Sequence, residues 1–155
     1  MMRPTRSIGG AVIASLAATT ALNATTYVDM LLRGRPASSL PSKAADAFAR
    51  RLHLPLGDPD GDAGAARRVG LGALLGIGTG RVGGTAAALS VRGRLPAALG
   101  APAAGLGVMA MSDGANAVAG LSDPRTWSTA DWLSDLIPHL VFGAVLVLAD
   151  GLLDR

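Results

Sequence analysis

Apolar residues gather in four runs, at about residues 8–32, 69–91, 97–121 and 133–153, separated by polar stretches of very unequal length. At ~1.5 Å per residue each run is long enough to cross a ~30 Å hydrocarbon layer. The pattern predicts an all-α fold, a four-helix transmembrane bundle with one long interfacial loop over 33–68, in a single integral membrane domain covering residues 1–155. The second run, VGLGALLGIGTGRVGGTAAALSV, holds no carboxylate and one arginine. Its Gly72, Gly76, Gly80 and Gly84 recur every fourth residue, so they share one stripe of the helix as overlapping G-x-x-x-G units. With no Cβ to hold backbones apart, that stripe is a groove that another helix can approach closely.

The polar stretch 33–68 is rich in Pro, Gly, Ser and charge. Ser42 can cap a helix running to about Leu52, with Ala45, Phe48, Ala49 and Leu52 on one side and Lys43, Asp46, Arg50 and Arg51 largely around the other. Such a helix suits the headgroup plane, or equally a solvated position folded against the bundle. The alternating aspartates of DPDGD, residues 58–62, invite a calcium reading, but Ala63 and Val69 stand where an EF-hand loop needs Gly and Glu. A turn at Pro59 and Gly61 explains them better, with Asp62 capping the next helix. Arg92, Gly93, Arg94 and Pro96 make a tight basic turn, Thr129 or Ser128 is placed to cap the fourth helix, and Pro138 is placed to kink it. Arg3 and Arg6 ahead of an apolar run fit a signal peptide, but the run continues to Leu32 and three more follow, so a retained first span is expected.

Composition sharpens this picture. Half of the residues are hydrophobic while 16% are charged and 3% aromatic, an aliphatic excess that points to lipid. There is no cysteine, hence no disulfide framework, thiolate zinc site or cysteine nucleophile. The net charge of +3 comes from scattered Lys/Arg with few aromatics, which suits anionic headgroups and argues against nucleic acid. Four spans put both termini on one side and the long loop and the Trp loop on the other, where Tyr27, Trp127 and Trp132 form an interfacial belt. That belt side holds eight Lys/Arg against five on the other. A multi-pass protein of the cell membrane with cytoplasmic loops is therefore expected.

The run RGRPASSLPSKAADAFARRL after a segment ending YVDMLL, together with ADWLSDLIPHLVFGAVLVLADG near the end, resembles small, uncharacterised polytopic membrane proteins of high-GC Gram-positive bacteria. The resemblance implies a location and brings no activity.

Gly78 to Gly83 matches G-x-G-x-x-G, but a dinucleotide fold also needs alternating strands and an acidic residue about 20 further on, where Ala103 stands. No cofactor is expected, and with only His53 and His139 no conventional metal site. The informative residues are polar ones inside the spans: Asn23, Arg81, Asp113, Asn116 and His139 come from all four helices and fall within ~11 Å of depth of one another. A lone arginine is expensive in lipid, so Arg81 is expected to pair with Asp113. His139, beside Pro138, is expected to hydrogen-bond a backbone carbonyl. Asp29, Asp135 and Asp150 lie near span ends, where water can satisfy them. No nucleophile–base pair is apparent, so a non-enzymatic protein is expected. It is read first as a scaffold or partner subunit whose glycine stripe holds a second copy or another membrane subunit, and alternatively as a small transporter or channel lined by the polar cluster.

Overall fold

The computed structural model describes residues 8–153. Arg3, Arg6 and Arg155, which enter the charge balance above, lie outside them. The chain is all-α among the described residues: α1 (Ile8–Arg33), α2 (Leu40–Leu52), α3 (Asp62–Val91), α4 (Ala97–Val118) and α5 (Thr129–Leu153), with a short 3-10 turn at Pro124–Thr126. The four apolar runs each become a long helix. The long loop does not survive as a loop, because α2 and the first turns of α3 occupy much of 33–68.

Local chemistry sets the ends. Ser128 Oγ accepts from the Asp131 N–H at 3.2 Å while the Asp131 carboxylate accepts from the Ser128 N–H at 2.9 Å, a reciprocal capping box that starts α5 ahead of its apolar run. Ser42 does not cap α2; the helix begins at Leu40 with Pro41 in its first turn, and the Leu40 N–H is taken by Ser38 Oγ at 3.1 Å. Asp62 is the first residue of α3 rather than its cap, and Asp58 instead accepts from the Asp60 N–H at 3.1 Å to close the preceding turn. At the end of α4 the Gly120 N–H bonds Ala117 O and the Leu121 N–H bonds Asn116 O, a Schellman closure that needs the φ of +69° at Gly120.

The long helices pack as a square, α1 against α5, α5 against α4, α4 against α3 and α3 back against α1. Its core is Ala11, Ala14, Ala18, Ala88, Ala104, Val108, Phe142 and Leu146, of which five are alanine. Helices can draw close because so little side chain lies between them. At the tightest crossing, a Cβ on Gly143 would overlap the Ala101 carbonyl oxygen and one on Gly105 the His139 carbonyl oxygen. Many large apolar residues point outward instead: Ile13, Val28, Leu74, Val82, Leu99, Leu106, Ile137 and Leu148 are all exposed. In α1, Ser15, Thr19, Thr20, Thr25 and Thr26 each donate a hydroxyl to a carbonyl three or four residues back, at 2.8–3.0 Å.

By length and composition α1 and α5 could cross a membrane. α3 and α4 are long enough but do not meet the same measure of hydropathy, their apolar residues being diluted by glycines and by Arg81 in α3 and Ser112, Asp113 and Asn116 in α4. The expectation of four equivalent spans is thus carried by two helices. α2 packs along α3: Asp46 bonds Arg68 Nε at 2.9 Å, and a Cβ on Gly72 would come within 2.6 Å of the Pro41 carbonyl oxygen. Only Ala45 and Ala49 of its apolar side are buried, and Phe48 and Leu52 stay exposed.

Candidate functional site

The α1 C-terminus and the α5 N-terminus meet at one end of the square, where Arg33 donates to Ser134 Oγ at 2.5 Å and to Asp29 at 3.3 Å. Trp127 and Trp132 stack edge to face at this end with ring centroids 5.0 Å apart. A vestibule of about 420 Å³ opens here. One wall is the approach to α2 and its first turn, with Arg35, Ser38, Ser39 and Lys43; the other is α4 and α5, with Asp113, Asp131, Ser134, Asp135 and His139. A second cavity of about 240 Å³ adjoins it, sharing Leu22 and His139 and reaching Thr19, Asn23, Thr79, Ser112 and Asn116 before Phe142 closes it.

His139 stands at the junction, and only 8% of it is exposed. Its Nδ1 donates to the Asp135 carbonyl at 2.8 Å and lies 3.5 Å from Asp135 Oδ1. The bond fixes the ring against its own helix, one turn back, in a stretch where Pro138 has no N–H to give the Ser134 carbonyl. Asp135 Oδ2 is buried with no hydrogen-bond partner. Asp113 and Asp135 lie on the same wall with their carboxyl groups close together.

Of the residues singled out from sequence, Asn23, Asn116 and His139 come together in the inner cavity, and Asp113 joins His139 in the vestibule. Arg81 does not join them. It is exposed and makes no ion pair among the described residues, so the Arg81–Asp113 pair is absent. The reason is rotation: α3 turns Gly83 toward Met111 of α4, and two residues are about 200° around a helix, which points Arg81 away. The glycines divide as well. Gly72 abuts Pro41, Gly80 lies under Thr19 and Gly84 under Ser15 and Phe142, whereas nothing lies within 4 Å of a Cβ on Gly76, which lines the inner cavity.

The far end of the square carries the buried ion pair. Arg92 Nε bonds Asp150 Oδ2 at 2.7 Å and Arg92 Nη2 bonds Asp150 Oδ1, tying the end of α3 to α5. In the sequence Arg92 reads as a turn residue, and Asp135 and Asp150 as residues near span ends. The signal was present in α5, where Asp135, His139, Phe142, Leu146 and Asp150 follow one another at three- and four-residue spacing, placing both aspartates on the core stripe.

Fold and site together define an all-α bundle with a polar cavity at one end and an ion pair closing the other. The chain matches no protein-family model, no curated protein and no solved structure.

Proposed function

We propose that this chain is a multi-pass integral membrane protein that admits small polar solutes or ions to its interior from one side, as a small transporter or channel. The observation that carries the reading is the pair of cavities that share Leu22 and His139 and bring Asn23, Ser112, Asp113, Asn116 and Asp135 to their walls, in a bundle clad in large apolar side chains. Contiguous exposed Leu, Ile and Val around small buried residues is the reverse of a soluble core and suits lipid. Polar groups gathered inside such a bundle line pathways or bind what passes. The reading includes α3 and α4 as spans, with the start of α1 and the end of α5 at the Arg92–Asp150 end. It favours a non-enzymatic role over catalysis, since the cavity offers no paired nucleophile and base.

The absence of cysteine allows a clean test. In sealed vesicles Ser112→Cys, in the inner cavity, should react with a membrane-impermeant cationic thiosulfonate from the side that labels Ser39→Cys. Leu148→Cys, facing lipid, should react from neither. If Ser112→Cys is unreactive from both sides, the interior is dry and the scaffold reading replaces this one. If Leu148→Cys reacts readily, the bundle is not embedded in lipid.

A further inference from the structure

Which groups of the vestibule are already committed decides what it can hold. Asp29 is engaged by Arg33 and Arg35, and Asp131 by Ser128. Asp113 and Asp135 remain on one wall, lining the cavity with their carboxyl groups close together. Two carboxylates at close quarters require a proton or a cation between them. On the opposite wall Lys43 lines the cavity with no ion pair or side-chain hydrogen bond among the described residues, in the first turns of α2, where the helix dipole adds to its positive charge. A single metal cation would meet the carboxylates but also the repulsion of Lys43. The volume of about 420 Å³ also exceeds what an ion needs and falls in the range of small organic ligands.

Resting on the reading of the cavity as an entry for solutes, we infer that the vestibule binds a small zwitterion, with its ammonium at Asp113 and Asp135 and its carboxylate or phosphate at Lys43. The same chemistry could arrive as a free amino acid or as the phosphoethanolamine part of a lipid. Both carry the two charges that the walls leave unmatched.

The full-length protein in a neutral maltoside detergent supplies its own reporter, because Trp127 lines the vestibule. Its fluorescence is titrated with L-alanine, O-phosphoethanolamine, ethylamine and propionate. The last two are alanine without its carboxylate and without its amine. At least one zwitterion should bind about tenfold or more tighter than either single-charge fragment, the worth of one charge-assisted contact. Saturation by alanine alone assigns a free solute, and by phosphoethanolamine alone a headgroup; either outcome supports the inference. Lys43→Met should reduce zwitterion affinity to that of ethylamine while leaving ethylamine unchanged or tighter, and Asp135→Asn should reduce it to that of propionate. Lys43 is exposed, so its variant folds whether or not Asp135→Asn does. Ethylamine binding as tightly as both zwitterions, binding by neither zwitterion, or an unchanged zwitterion affinity in Lys43→Met overturns the inference. If any of these occurs while Ser112→Cys still labels from the vestibule side, the ligand class is wrong and the solute-entry reading stands; if Ser112→Cys is unreactive, both fall.

Discussion

Cutting the Arg92–Asp150 pair on one side is expected to cost more than removing it whole. The two side chains are 10% and 7% exposed, so little water screens them. With charge centres ~4 Å apart and an effective dielectric of ~20, their attraction is about 4 kcal/mol. Removing one partner of a buried pair typically costs about 3–5 kcal/mol, because the survivor is stranded without compensation. Arg92→Met alone, which leaves the Asp150 carboxylate buried, should therefore destabilise the bundle by about that amount, and Asp150→Leu alone should also destabilise it. The double change Arg92→Met with Asp150→Leu replaces the pair by apolar groups and should recover stability to within about 1 kcal/mol of the parent. The assay is reversible unfolding in mixed micelles of mild detergent and dodecyl sulfate, followed by far-UV circular dichroism on all four members of the cycle. A coupling energy below about 1 kcal/mol would refute the reasoning, since it would mean that Arg92 swings into water at no cost.

At the closest helix crossing, Gly143→Ala and Gly105→Ala should each lose about 1–3 kcal/mol by forcing α4 and α5 apart. Gly76→Ala, which meets open space, should be neutral or gain about 0.5–1 kcal/mol in the same unfolding assay, and equal losses at all three sites would sink the packing argument. Single cysteines at Ser39 and Ser128 should label from one face of a vesicle and one at Arg94 from the other; labelling of Ser39 and Ser128 from opposite faces would end the four-span reading. In the turn before α5, the guanidinium of Arg125 hydrogen-bonds the Asp123 carboxyl, and together with the Arg125 N–H holds it below the usual carboxylate range. That carboxylate's contribution is present above the ordinary carboxylate pKa and lost as pH falls through the lowered value. Arg125→Ala should shift the carbon-13 titration midpoint of Asp123 upward, and an unmoved midpoint would refute the assignment.

The four long helices were legible because apolar runs of that length leave few alternatives. Their boundaries were less so, since helical hydrogen bonding does not stop where apolar character stops: α3 begins at Asp62 and α5 at Thr129, each ahead of its run. For the site, counting residues along a helix gave depth but not direction. Asn23, Asn116 and His139 have compatible directions and share a cavity, while Arg81 sits at a compatible depth on the wrong face. Asp135 and Asp150 were discounted for their nearness to helix ends, although their spacing along α5 places them on its buried side. The Lys43 wall could not be read at all, because it depends on α2 folding back along α3, a tertiary contact made by Gly72, Pro41, Asp46 and Arg68.

The hydroxyls of α1 bear on how that helix partitions between phases. A scale that scores residues singly charges each serine and threonine with an unsatisfied donor on leaving water. Here Thr20 is exposed, yet its proton already rests on the Leu16 carbonyl, and Ser15, Thr19, Thr25 and Thr26 are arranged alike. The helix brings its own acceptors with it. Its transfer free energy into hydrocarbon should therefore be more favourable than the additive sum over its residues, by an amount that Thr→Val exchange at position 20 would reveal as a gain much smaller than the scales assign.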